Sequence, residues 1–289
     1  MIDYISDLFN IDNNTTATIV ITIAVFLTGL AFQGLFSFIK NLSIRCRKRR
    51  FFIHVLDKTG QASLKQGNLF NDFSKKLAIS YVGNFELSTI TFPYLSTFDK
   101  IDFELVYNAF FNGPENLCSQ YKTKAFTKAY SIISRIQSIE SKYPTDLQKF
   151  IDKFNGYEDK WYNAVELIRQ QYEQILGSST EITVTNPLVA DFLTRMDGII
   201  SSWQRQINYT HYSTEFNSLV NPLYNLLKEP QFESIALRSK QLLNLLIEAQ
   251  GHYQNMVSLL ENYSSLYKLY GRIYCNSLRI IKVIVKILK

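Results

Sequence analysis

The pattern of apolar and polar positions is dominated by one run. Ala17 to Ile39, ATIVITIAVFLTGLAFQGLFSFI, contains no charged residue. At about 1.5 Å rise per residue, a helix of that length crosses the roughly 30 Å hydrocarbon layer of a bilayer. The run therefore predicts a single transmembrane helix. Nothing before Thr59-Gly60 forces that helix to stop, so residues 40–58 are expected to carry it onward, with Phe51, Phe52, Val55 and Leu56 entering the next domain before the glycine breaks it.

Beyond that point the apolar residues recur mostly at helical spacing. Residues 63–92 read as one or two short helices (Leu69, Phe70, Phe73, Leu77), with an extended piece at Ser88–Phe92. Leu95 to Phe111 reads as a helix through Phe98, Ile101, Leu105 and Ala109, closed by Asn112-Gly113-Pro114. Two long helices are expected next. The first carries Leu117, Tyr121, Ala125, Ala129, Ile132, Ile136 and Ile139; the second carries Leu147, Phe150, Phe154, Tyr157, Trp161, Val165, Ile168, Tyr172 and Ile175. The alternating steps of three and four in the second describe a coiled-coil-like seam. With Tyr143-Pro144 as the break, the two would form an antiparallel pair. The stripe also suits a base-stacking platform, but aromatic residues at helical spacing are the ordinary contents of a core.

Gly177-Ser178-Ser179 predicts a loop and Glu181–Thr185 a lone short strand, after which Asn186-Pro187 caps a helix carrying Phe192, Met196, Ile199, Trp203 and Ile207. No proline follows Pro230, which leaves room for a helix of up to about 55 residues, a length that often conceals a break. The fold class is all-α: residues 1–16 outside the membrane, a span at 17–39, a basic juxtamembrane helix at 40–58, and a cytoplasmic helical domain at 59–289.

Charge gives the span a direction. Lys40 and then Arg45, Arg47, Lys48, Arg49 and Arg50 follow it, whereas only Asp3, Asp7 and Asp12 precede it. The positive-inside rule puts this collar in the cytoplasm and the N-terminus outside. The acidic leader lacks the basic start and cleavage site of a signal peptide. Of the net charge of +6, the collar and leader account for half, leaving residues 51–289 with 25 basic against 22 acidic side chains. The basicity is local, which argues against a general nucleic-acid binder. The collar is read as topogenic and as a contact for anionic lipid headgroups, with polyanion binding as the other reading.

Within the span, Thr22, Gly29 and Gln33 fall on one face. Gly29 permits close backbone approach, and the Gln33 amide calls for a partner, so this face is a candidate for self-association. A place for Gln33 at the cytoplasmic interface, among water and headgroups, is the other reading. The C-terminal segment, about 263–289, is the second notable pattern. Lys268, Arg272, Cys275, Arg279, Lys282, Lys286 and Lys289 step along one face, Ile280, Ile284 and Ile287 lie in a wide apolar arc, and no acidic residue follows Glu261. That is the form of an amphipathic helix lying in a membrane interface, and equally of a terminal core helix with a basic outer face.

Chemistry is sparse. Cys46, Cys118 and Cys275 are far apart with no CxxC spacing, so neither disulfides nor a zinc site are expected. None of the three histidines, His54, His211 and His252, has a second histidine at i+4 or a carboxylate at metal-ligand spacing on the same face, Glu115 and Glu158-Asp159 read as surface carboxylates, and no phosphate loop or nucleophile elbow appears. Asp57-Lys58-Thr59-Gly60 matches the phosphorylated DKTG of P-type ATPases, yet Gln61 replaces their next threonine and the many spans are missing. No catalytic residue, cofactor, metal or small-molecule substrate is expected, and the chain reads as a non-enzyme.

One span, a basic collar with Phe51-Phe52, and the stretch Ile90-Thr91-Phe92-Pro93-Tyr94-Leu95-Ser96-Thr97-Phe98-Asp99-Lys100-Ile101-Asp102 resemble bacterial membrane-bound anti-phage effectors of the abortive-infection and retron-associated transmembrane kinds. The retron-associated proteins have two spans, and here the C-terminal stripe would have to supply the second membrane contact. The resemblance implies a dormant inner-membrane effector, held by a sensor or inhibitory protein or ribonucleoprotein and released to permeabilise the membrane; the span face adds a second copy of the chain as a candidate partner. A passive anchor whose bundle docks a soluble partner, and a membrane-tethered nucleic-acid binder, are the alternatives.

Overall fold

The computed structural model describes residues 13–79, 85–92, 94–111, 120–179, 186–206 and 212–289. Among the described residues there is no strand, and the protein is all-α. In chain order the elements are α1 (Asn13–Ile79), α2 (Leu95–Lys100), α3 (Phe103–Phe111), α4 (Gln120–Ser179), α5 (Pro187–Gln204) and α6 (Tyr212–Glu215). A π-helical turn at Phe216–Val220 leads into α7 (Asn221–Leu227), and a 3-10 turn at Pro230–Phe232 precedes α8 (Glu233–Arg238) and α9 (Lys240–Leu288). The expected strand at Glu181–Thr185 and the residues Leu117, Cys118, Ile207 and His211 lie outside the described residues.

Several expected breaks are absent. α1 does not stop at Thr59-Gly60 but runs on to Ile79. The Thr59 hydroxyl donates to the Val55 carbonyl at 2.9 Å, inside the helix, and Val55, Leu56, Thr59 and Ser63 are all buried. Burial along that face outweighs the roughly 1 kcal/mol by which a helical glycine trails alanine. Residues 85–92 have no regular structure, and Leu95–Phe111 is two helices, since the Asp102 side chain accepts from the Glu104 and Leu105 amides (2.8 and 3.1 Å) and starts α3 afresh. The C-terminal helix does conceal a break, at Ser239, between α8 and α9.

The chain forms two compact units, each discontinuous in sequence: Met1–Gly60, Phe92–Ser131 and Ile281–Lys289 make one, and Gln61–Thr91 with Ile132–Ile280 make the other. The first is held by aromatic packing. Phe52, fully buried, meets Phe126 at 5.2 Å, Tyr130 at 5.7 Å, and Phe98 and Phe110 at 5.8 Å between ring centres. Burial and the Asp102 charge push the Tyr130 phenol up to about 12.

In the second unit the expected helical pair is replaced by continuity. Pro144 sits inside α4 and does not end it, although a proline in a helix interior costs about 3 kcal/mol. The neighbouring helix α9 compensates with tyrosines one turn apart. Tyr274 donates to the Glu140 carboxylate and Tyr270 to Asp146 at 2.7 Å, one partner on each side of the proline. The seam after Pro144 is real core: Phe150, Phe154, Trp161, Val165 and Ile168 are buried. α5 starts as expected, with Asn186 Oδ1 accepting from the Leu188 amide at 3.0 Å and Pro187 in the first turn.

α1 and α9 approach here through glycines. A Cβ on Gly271 would clash with Asn71 Oδ1 and lie 2.8 Å from the Gly67 carbonyl oxygen; one on Gly67 would lie 2.8 Å from Cys275 Sγ and 3.0 Å from the Gly271 carbonyl oxygen. Two backbones in contact cannot yield as a flexible side chain can. Gly271→Ala is therefore expected to lower stability by about 1–3 kcal/mol through overpacking. Gly251→Ala, where nothing lies within 4 Å, is expected to raise it by up to about 1 kcal/mol from helix propensity. Thermal denaturation of the two variants checks the opposite signs.

Candidate membrane-contacting surface

The most apolar window of α1 has a mean hydropathy of 2.2, and none of it is buried by the rest of the protein. Val25, Phe26, Phe32 and Phe36 are each more than 60% exposed. An apolar surface of that extent is not left to water in a soluble monomer. α1 is thus long and apolar enough to cross a membrane, and it is the one such helix among the described residues.

Its polar side chains differ in how they are satisfied. The Thr22 hydroxyl donates to the Thr18 carbonyl at 2.8 Å, and Thr28 to Ala24 at 2.6 Å. Bonded back to their own helix, they can lie in hydrocarbon with no other partner. Gln33 is exposed and has no hydrogen-bond partner among the described residues. A Cβ on Gly29 or Gly34 would meet nothing within 4 Å. The Thr22–Gly29–Gln33 face is open, with Gln33 as its one unsatisfied amide.

The collar divides. Lys40, Arg47 and Arg50 are exposed, whereas Arg45, Lys48 and Arg49 are half-buried. Arg49 departs furthest from its expected role as a headgroup contact. Its Nε donates to the Ala109 carbonyl, its Nη2 reaches Phe110 O at 3.4 Å, and its guanidinium lies 5.8 Å from the Phe110 ring centre. It caps the C-terminus of α3, where unpaired carbonyls present negative partial charge.

The tail is also not the free amphipathic helix that one sequence reading allowed. Ile284 is 3% exposed, and Ile281, Val285 and Leu288 are buried with it; Ile280 is half-buried. The apolar arc faces protein. Arg272, Arg279, Lys282 and Lys286 are exposed, accompanied by Val283 and Ile287. Cys275, placed by sequence on this basic stripe, is half-buried instead, and burial pushes its thiol up.

No protein-family model, curated protein or solved structure matches this chain.

One buried carboxylate was missed in the sequence, Glu215, and one was misread, Glu158. Glu215 is 5% exposed and accepts from the Trp161 indole Nε1 at 3.0 Å. Burial pushes its carboxyl above the usual range, with the indole bond and the Arg169 charge offsetting part of that. Glu158 is half-buried, not a surface group, and is raised by burial and by Asp159. Among the described residues no group of three His, Cys, Asp or Glu side chains could hold a metal ion. His252 does have a carboxylate one turn away, with Nε2 3.4 Å from Glu248. A sequence signal for Glu215 existed in its place beside Phe216 and opposite a tryptophan-bearing seam, but only folding joins them.

The raised Glu215 carboxyl has a definite sign. A carboxyl with a higher pKa folded than unfolded contributes stability that is full below the unfolded value and is lost as pH rises through the folded one. Glu215→Gln keeps an acceptor for Trp161 without a charge to desolvate. We expect it to raise the melting temperature at pH 7 and flatten the fall in stability as pH rises above the ordinary carboxylate range, measured by thermal scans from about pH 4 to pH 8.

Proposed function

We propose that this protein is a single-span, non-enzymatic effector of bacterial anti-phage defence, seated in the inner membrane with its N-terminus outside and its helical part in the cytoplasm. A sensor or inhibitory partner binds the helical part and, on release, self-association through the span perturbs the bilayer. The observation that carries the reading is the bare apolar half of α1, with the unpartnered Gln33 beside Gly29. In hydrocarbon, an amide is satisfied by another helix or by water drawn into the membrane, and either outcome serves a perturbing assembly. The span and the buried segment from Phe52 to Leu77 belong to one helix, so a binding event on the domain acts on the same element that enters the bilayer.

The test is expression of the chain alone in bacteria, following membrane potential and entry of an impermeant dye. Depolarisation by the parent, abolished by Gly29→Leu with Gln33→Leu in a chain that stays in the membrane fraction, supports the reading. Sustained potential despite abundant membrane-located protein overturns autonomous action. One observation favours a second reading, a harmless anchor that docks a soluble partner: the burial of Ile281, Ile284, Val285 and Leu288 removes the tail as a ready membrane-disrupting element.

A further inference from the structure

The collar is not only a row of charges along α1. In the first unit, Arg49 and Arg50 share a cavity of 280 Å³ with Lys122 from the start of α4 and Lys289 at the end of α9. Its apolar lining includes Ile53 and Leu288, and among the described residues no acidic side chain lines it. Arg50, Lys122 and Lys289 have no ion-pair partner among the described residues. Arg49 is tied to the α3 carbonyls and acts as a fixed wall. Like charges gathered round one cavity repel one another, and an anion seated among them relieves that repulsion.

Position narrows the class of anion. Cys46, which also lines the cavity, lies about 10 Å of helix beyond Ile39. The headgroup layer reaches about 5–8 Å past the hydrocarbon; Arg50 starts about 16 Å of helix beyond Ile39, and the tilt of a span together with the reach of arginine and lysine stems covers the difference. We propose that this cavity is a headgroup site for an anionic phospholipid: the phosphate is held by Arg50, Lys122 and Lys289, Ile53 and Leu288 form the apolar floor, and the glycerol end leaves past Cys46, on the side of the bilayer. The site rests on the membrane reading of α1 and goes beyond it, because two of its cations come from helices that sequence does not associate with the collar. Its consequence is a lipid-dependent tie between α1, α4 and α9.

The test uses the full chain in an uncharged detergent, with melting temperature followed as short-chain phosphatidylglycerol, short-chain phosphatidylcholine or inorganic phosphate is added. Saturable stabilisation by phosphatidylglycerol and none by phosphatidylcholine is expected. Lys122→Glu with Lys289→Glu should weaken the apparent affinity about ten-fold or more, while Lys268→Glu with Arg272→Glu, the same charge change elsewhere, should leave it unaltered. Circular dichroism of both variants establishes that they fold. Equal weakening by both pairs means diffuse attraction and overturns the site. Inorganic phosphate matching the lipid overturns the lipid as its source. Alkaline carbonate extraction separates the two levels: a chain released from membranes refutes the span, whereas a retained chain that phosphatidylglycerol does not stabilise refutes only the cavity.

Discussion

Phe126→Ala is expected to cost about 3–5 kcal/mol, the range for removing a fully buried aromatic side chain without collapse of the cavity. Phe126 has no exposed surface and is the hub of the first unit. Its ring centre lies 5.1 Å from Tyr130, 5.2 Å from Phe52, 5.3 Å from Phe103 and 5.7 Å from both Phe110 and Phe111. Several contacts are tilted or edge-on, geometries that add about 0.5–1.5 kcal/mol per pair beyond the buried area. The loss should appear in chemical denaturation of the detergent-solubilised chain and as faster amide exchange in Phe103–Phe111. Tyr121→Ala is the matched control, five residues earlier on α4 and 80% exposed; its effect should stay within about 0.5 kcal/mol. A small effect at Phe126 would mean that these rings do not hold the unit together.

Leu27→Asp with Leu30→Asp should abolish stable membrane insertion. Both residues lie near the middle of the span, at 58% and 49% exposure, so neither has a protein partner to shelter a charge. Each aspartate at the centre of a membrane helix costs about 3 kcal/mol, and the pair about 6 kcal/mol, more than the remaining apolar residues readily offset. Carbonate extraction should release the variant and leave the parent in the membrane. Leu64→Asp, at a 39% exposed position further along the same helix, should remain membrane-bound. Retention of the double variant would overturn the span and every functional reading built on it.

The two experiments probe features of different physical origin. The span is a local property. Twenty-three uncharged residues in helical conformation satisfy their own backbone and need no particular neighbour, so their composition alone makes α1 long and apolar enough to cross a bilayer. The cap at Asn186 and the seam from Phe150 to Ile168 are legible for the same reason, since a side chain bonding two residues ahead or a repeat of three and four is written within a single helix. What sequence could not decide were contests between a local preference and a distant partner. Pro144 and Gly60 are ordinary stop signals, overruled by Tyr270 and Tyr274 from α9 and by the packing of Val55 and Leu56. The basic tail suits a membrane surface or a protein core equally well until its arc is found buried at Ile281, Ile284 and Val285. Arg49 becomes a helix cap, Glu215 a buried carboxyl, and Lys122 and Lys289 neighbours of the collar, because residues 54 to 240 positions apart are brought together. Sequence alone determined the helix fit to meet the bilayer; tertiary packing decided which of the remaining charges and apolar arcs are left free to act there.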